Sequence, residues 1–556
     1  MLWFPGKGTA QASEQKLAMA KLPKPEISVH EQELPQISSG SVYQTVDPQI
    51  TQKLIRLLDE TSLQNILPPQ DSSLAELSSF ETPEGLQLSA RYKNLGILLA
   101  ETLAWEPFNK IGIKNAQFFK QRFLTLVRFN HDLTLRSMAL VSLAALKNKE
   151  DLFYDKEALL SKETGIRFAG IEALEKCGLA EAIPILKDAA QRDGSPLLRV
   201  IATGALARIG DSGGLEILRE TLKDSDWLIR ALSAKALGEA GTAPDYDLLL
   251  SQLNQEQVIP SNQFVVAEIL ISAIKLFPKT LDPSNDNPGV SPAPQDQKRS
   301  SAYGSIESGL KPLALTAPRM NIPIGELMDP RIDSTLSKLI RENANMIIPQ
   351  NEIGQSATYP QLSEFATLTG SLLKVRYTLL GTLLTEATAG TNDPKLVDQL
   401  NQMARSGRGA AVRSYALLAL AYSKDQNQLT VFEDALRSPL SSDRFAAVNG
   451  LQIAGVPEAV SILNGVIKLD PSPVLRVYTA QAVLRLGDPL GKEVLFRALD
   501  DPNWVVRAIA FRYLGELGTA EDYSKVLSYL ASEQNDFLTV EMCSSLLHLY
   551  SKRPKE

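Results

Sequence analysis

Apolar residues recur at helical spacing through most of the chain, and an arginine register exposes the period. Arg136, Arg167, Arg199 and Arg230 lie 31, 32 and 31 residues apart, and Arg413, Arg444, Arg476 and Arg507 repeat those spacings. Three residues after each arginine stands a small residue (Ala139, Gly170, Ala202, Ser233; Ala416, Ala447, Thr479, Ala510). Seven after it stands Leu or Val (Leu143, Leu174, Leu206, Leu237; Leu420, Leu451, Val483, Leu514). Offsets of 3 and 7 share one face of an α-helix, and small side chains there let a second helix approach closely. Eleven residues after the arginine comes Gly178, Gly210, Gly241, Gly455, Gly487 or Gly518, where a glycine with positive φ ends the helix. Eight further on, Leu186, Leu218, Leu249, Leu463, Leu495 or Val526 falls on a second amphipathic helix. A two-helix unit of about 31 residues with no strand signal cannot bury its faces alone, so the expected fold is an all-α solenoid of stacked hairpins.

A longer period contains the short one. Residues 132–247 align without gaps to 409–524 at an offset of 277, with 46 identities in 116 positions. Upstream, Arg91-Tyr92 and Leu95-Gly96 match Arg376-Tyr377 and Leu380-Gly381, and Asp47-Pro48 matches Asp329-Pro330. Both Asp-Pro pairs read as helix starts, Asp as N-cap and Pro in the first helical position. The expected organisation is an extended N-terminal arm at 1–45, one solenoid copy at 46–280, a linker at 281–327 and a second copy at 328–556. The linker holds seven prolines amid Ser, Asn and Asp, a composition that sustains no helix.

The units Asp224–Gly241, with Trp227 and Arg230, and Asp501–Arg507, with Trp504, resemble HEAT repeats of the short bilin-lyase type. The resemblance implies an α-solenoid. It also implies that the recurring arginines, Arg136, Arg167, Arg199, Arg230, Arg413, Arg444, Arg476 and Arg507, form a structural ladder with acidic residues of neighbouring units. Functionally it spans scaffolds, adaptors and a few lyase subunits.

Composition narrows the chemistry. Lys and Arg number 57 against 64 Asp and Glu, a formal charge of −7, which argues against a general nucleic-acid binder. Three histidines (His30, His131, His548) and two cysteines (Cys177, Cys543) leave little for metal or nucleophilic work, and no metal site, cofactor site or catalytic residue is expected. No apolar run reaches the roughly 20 residues of a membrane-spanning helix. Gly210-Asp211-Ser212-Gly213-Gly214 fits a nucleophile-elbow string, but it falls on an inter-repeat turn and its counterpart is Gly487-Asp488-Pro489-Leu490-Gly491, with proline at the serine's place. Ala10-Gln11-Ala12 has a signal-peptidase form behind too short an apolar stretch. The chain reads as cytoplasmic, and as periplasmic if the true start lies upstream and cleavage follows Ala12.

The expected function is therefore a non-enzymatic scaffold or adaptor that binds a protein or peptide on its concave faces. The alternatives are a bilin-lyase-like enzyme or subunit and an exported cell-envelope assembly factor. Identities between copies that the repeat frame does not require are candidates for partner contact: Trp227 and Trp504, Arg208 and Arg485, Tyr246 and Tyr523. Trp105 and Phe108 join them, because they sit in about eight residues that only the first copy carries.

Overall fold

The computed structural model describes residues 47–61, 68–103, 113–129, 132–259, 262–281, 330–344, 360–378, 380–388, 393–423 and 428–553. Most of the expected arm and linker, with His30, Trp105, Phe108 and His131, lies outside the described residues. Thr45–Glu556 form one compact unit, and among its described residues every regular element is helical.

The first copy begins with α1 (Pro48–Thr61), α2 (Ser72–Ser78), α3 (Pro83–Lys93), α4 (Leu95–Leu103) and α5 (Ile113–Phe129). It continues through α6 (Leu133–Ala144), α7 (Leu152–Ala158), α8 (Thr164–Cys177), α9 (Ala182–Arg192) and α10 (Pro196–Arg208). It ends with α11 (Ser212–Thr221), α12 (Trp227–Ala240), α13 (Ala243–Glu256) and α14 (Gln263–Leu281). The second copy runs α15 (Pro330–Ala344), a 3₁₀ turn at Pro360–Glu364, α16 (Leu368–Arg376), α17 (Leu380–Thr388), α18 (Pro394–Ser406) and α19 (Ala410–Ser423). It closes with α20 (Leu429–Leu436), α21 (Ser441–Ala454), α22 (Pro457–Leu469), α23 (Pro473–Arg485), α24 (Leu490–Ala498), α25 (Trp504–Leu517), α26 (Tyr523–Leu530) and α27 (Asp536–Ser551).

Local sequence fixes the helix ends. Ser195 and Ser472 cap α10 and α23 by accepting from Leu198 N and Leu475 N, with Pro196 and Pro473 in the first helical position. Asp47 Oδ1 accepts from Gln49 N at the start of α1. Gly178, Gly210, Gly455 and Gly487 have φ of 62°, 94°, 63° and 94°. Gly241 and Gly518 depart from the expected left-handed geometry, with φ of −68° and −69°. Glycine is required there for room: a Cβ would run into the carbonyl oxygens of Leu237 and Leu514, and a Thr-Asp capping box at Thr242–Asp245 or Thr519–Asp522 starts the next element at once.

Two layers result. The arginine-bearing helices form the inner one and are apolar around most of their girth, the mark of a helix covered on all sides; in α25, Trp504–Val506 and Ala508–Gly515 are buried. The outer helices bury one stripe, as in α9, where Ala182, Leu186, Ala189 and Ala190 face inward.

The inner layer closes on itself. Successive inner helices α4, α6, α8, α10, α12 and α14 pack side by side, α14 packs on α17 of the second copy, and the series continues α19, α21, α23, α25, α27. Then α27 packs back on α4. Each copy's first helix spans a seam in the outer layer: α15 lies against α14, α17 and α18, and α1 against α27 and α5. Lys53 Nζ donates to Glu533 O at 3.0 Å and Arg56 pairs with Asp536 at 2.9 Å, while Lys338 Nζ donates to Gln257 O.

The concave surfaces expected to receive a partner are occupied by the chain itself. The α2–α3 hairpin of the first copy lies on inner helices of the second, and Pro360–Arg376 of the second lies on those of the first. Phe80 stacks on Phe445 at 4.1 Å, and Phe365 stacks on Phe168 at 4.0 Å. Tyr513 Oη donates to Glu84 at 3.0 Å, while Thr367 and Thr369 each donate to Glu172 at 2.8 Å. The two copies, expected as separate arms, are interlocked.

Candidate partner-binding surfaces

Of the unexplained identities between copies, the two tryptophans help build that interlock, and the other four residues pack or pair within their own copy. Trp504 is buried between Tyr92 of the first copy, 5.9 Å away and edge-on, and Phe537. Trp227 meets Tyr377 of the second copy at 6.2 Å and Phe264 at 5.6 Å. Tyr246 packs on Phe277 and Tyr523 on Tyr550, both rings buried. Arg208 holds Glu175 by two hydrogen bonds of 2.6 and 2.9 Å and reaches Glu239 at 3.2 Å. Arg485 reaches Gln481 at 2.8 Å and Glu516 at 2.8 Å. The partner these six residues meet is the rest of their own chain.

Two residues on the aligned Arg-Tyr pairs finish the seams. Buried Arg376 clamps Glu268 of α14 with hydrogen bonds of 2.6 and 2.9 Å and Glu386 of α17 with one of 2.6 Å, and Lys275 adds a second cation at Glu386. Although burial opposes ionisation, those two cations hold the Glu386 carboxyl well below the usual range. Arg91 pairs with Glu101, but it also faces Arg512; burial and that like charge bring its pKa down to about 10. The remaining motifs stay structural. Ser212 opens α11, where the Asp211 carboxylate caps the Gly214 amide and pairs with Lys187 at 2.7 Å. Cys177 and Cys543 are buried thiols, and burial pushes Cys543 up to about 12. His548 lies inside α27 with Nδ1 on Ser544 O at 2.8 Å. Among the described residues no three His, Cys, Asp or Glu side chains are grouped to hold a metal ion, and no helix is long and apolar enough to cross a membrane.

The arginine series links neighbouring repeats, but unequally. Arg167 reaches Asp193 at 2.9 Å, Arg230 Glu256 at 2.7 Å, Arg413 Asp443 at 3.0 Å, Arg444 Asp470 at 2.7 Å and Arg507 Glu533 at 3.8 Å. Arg136, Arg199 and Arg476 instead donate to backbone carbonyls, those of Val127, Asp193 and Asp470.

Among the described residues the exposed large apolar side chains gather on one edge, where an outer helix turns into the next inner helix. Leu133, Leu160, Val258, Ile259, Leu440 and Leu469 are exposed large apolar residues there, Leu160 and Leu469 at 82% and 83%. Phe153, at the opposite end of an outer helix, is the other exposed one among the described residues. Two clefts open on the same edge. One of about 220 Å³ is lined by Ile467, Pro473, Arg476, Val494, Arg497 and Asp501, with Val477, Ala498 and Val506. The other, of about 440 Å³, is lined by polar groups around Arg230 and Glu256. Sequence reasoning passed over this edge, although the signal was present: a leucine where the turn positions of other repeats are charged or polar, such as Leu160 against Arg192, Lys223 and Arg437.

Residues 188–260 and 461–546 match a family model described as HEAT repeats. Both copies therefore carry HEAT repeats. Among solved structures it is similar to human deoxyhypusine hydroxylase in complex with glycerol, at 16% identity over 66% of this chain and 96% of that one, with a TM-score of 0.21. It is similar as well to the karyopherin Kap121p bound to the SUMO protease Ulp1p, at 12% identity over 90% of this chain and 53% of that one, with a TM-score of 0.33. Neither likeness bears on function. No curated protein matches.

Proposed function

We propose that this HEAT-repeat chain is a non-catalytic scaffold that binds a protein partner along the outer-to-inner turn edge rather than in its concave faces. The observation that carries the reading is the distribution of exposed apolar side chains. The interior is filled by the chain's own hairpins, and six of the seven exposed large apolar residues described stand on that one edge. Apolar residues left in solvent at several turns of one edge give separate contact points for a partner, and loops on one edge are a usual binding site of repeat proteins.

A photo-crosslinking residue placed at Leu160, Val258 or Leu469 of the full chain in its native cell should trap one protein, and the same residue at Phe153 should not. The trapped protein should then form a complex of fixed stoichiometry with the full chain when both are purified. Equal trapping from Phe153, failure of the purified pair to associate, or a chromophore that co-purifies and transfers to an acceptor cysteine would overturn the scaffold reading.

A further inference from the structure

The 220 Å³ cleft lies in the second copy, and the charged positions that line it carry the opposite balance of charge in the first. In the second copy Arg476 and Arg497 stand with Asp501 among Ile467, Pro473, Val494 and Val506. At the offset of 277 the first copy has Arg199, Glu220 and Asp224 at those three charged positions and Ala190 where Ile467 stands. Two cations and one acid in one copy therefore become one cation and two acids in the other. The second copy's cleft also lacks the acid that its arginine register provides elsewhere. Arg230 and Arg444 each find a carboxylate 26 residues on, whereas Pro502 occupies that place for Arg476. Arg476 spends Nη1 on the Asp470 carbonyl at 2.7 Å, and no ion pair to it is found among the described residues. Asp501 is engaged in capping, its Oδ1 accepting from Asn503 N at 2.8 Å. Arg497 is exposed, and Leu469, exposed at 83%, ends the helix that carries Ile467 of the cleft.

We propose that this cleft takes an internal acidic side chain of a partner segment, a Glu or Asp flanked by aliphatic residues. The carboxylate supplies the missing acid to Arg476 and Arg497, and its aliphatic neighbours lie on Ile467, Val494 and Leu469. Planar guanidinium groups pair with carboxylates bidentately, and apolar walls strengthen such a pair by excluding water. Leu469, exposed at the end of that helix, favours a chain passing across the mouth over one ending in it. This rests on the scaffold reading and names the partner chemistry for one point of the edge.

The test titrates the full chain into a C-terminally amidated peptide Gly-Gly-Leu-Glu-Leu-Gly carrying an uncharged coumarin at its N-terminus, followed by coumarin fluorescence anisotropy, since the chain's own four tryptophans mask an intrinsic probe, and by crosslinking from a photo-leucine beside the glutamate. Binding should weaken at least tenfold when the peptide's Glu becomes Gln and when the protein carries Arg497→Glu, which installs the first copy's charge at an exposed position. Arg192→Glu, an exposed arginine on the same edge of the first copy, should leave binding within twofold, and the crosslink should fall on α22 or α24. Helical circular dichroism and melting temperature verify that each variant is folded. No saturable binding up to millimolar peptide, equal binding of the Gln peptide, equal loss from Arg192→Glu, or preference for a peptide whose only carboxylate is its C-terminus overturns the proposal. If the cleft fails while a purified partner still crosslinks at Leu160 or Val258, the scaffold reading stands without it; if both fail, both fall.

Discussion

Gly178 and Gly241 hold the same place in the repeat for different reasons, and substitution separates them. Gly178 has φ of 62° with nothing near its missing Cβ, so Asn, which tolerates the left-handed region, should cost well under ~1 kcal/mol there. Gly241 has ordinary φ, and any Cβ meets the Leu237 carbonyl, so both Gly241→Ala and Gly241→Asn should cost more, in the range of about 1–3 kcal/mol for an overpacked site. Chemical denaturation of the three variants checks the order. His548 supplies a pH effect. Burial, with Arg512, Lys552 and Arg91 nearby, lowers its pKa to about 4 from an ordinary 6.5. The unfolded chain then binds the proton more readily between those values, so stability is intact above pH 6.5 and is lost as pH falls toward 4, by at most about 3 kcal/mol. His548→Gln should flatten that acid-side decline in melting temperature, whereas an unchanged profile would place the acid sensitivity in other groups. The sequence alone placed His548 in the last helix but did not say how far it is covered, because α27 also carries Thr539, Glu541, Ser544 and Ser545, and polar residues spread along the helix do not mark which side is covered.

The short elements that fill the interior bear the greatest burden at the next scale. Phe80 and Phe365 sit in the turns that precede α3 and α16 and stack on inner-helix phenylalanines of the opposite copy. Phe80→Ala and Phe445→Ala should each cost about 3–5 kcal/mol, as large buried aromatics do, and the double variant should cost less than their sum by a coupling of roughly 0.5–3 kcal/mol. Strict additivity in urea unfolding would show that the stacked pair does not form in solution. The repeat helices, the left-handed caps at Gly178, Gly210, Gly455 and Gly487 and the duplication were legible from the arginine register, since each depends on residues within one unit, whereas the caps at Gly241 and Gly518 were not. Trp227 and Trp504 were visible too, as identities that the register leaves over. Their partner was not legible: Tyr92 and Tyr377 lie more than a hundred residues away in weakly matching segments, and a surface aromatic and a seam aromatic look alike until the opposite copy is in place. Arg91 and Arg376 were likewise seen as aligned residues with no reason for being aligned.

For the compact unit as a whole, the reciprocal contacts outnumber any role of the chain connecting the copies. Cleavage at a protease site inserted within residues 290–320 should leave fragments that co-elute at the mass of the intact protein, because α14–α17 and α27–α4 packing, both phenylalanine stacks and the Arg376 clamp all join one fragment to the other. Separation at micromolar concentration would contradict the closed arrangement. The charge inversion at equivalent turn positions belongs to this scale also: Glu220 and Arg497 occupy the same place in two copies of one module, so any partner meets two related but non-identical edges.

Closure of the inner layer also abolishes the distinction between first and last. An open solenoid needs polar capping repeats at its two ends, but here α27 is to α4 what α14 is to α17, and Lys53 and Arg56 of α1 already touch Glu533 and Asp536. A gene rearranged so that residues 330–553 precede residues 47–281 would therefore trace the same circuit in a different order. The copies are interchangeable in synthesis though not in charge, and the number of repeats is fixed by the circumference: one more unit could not be added without prising a seam apart.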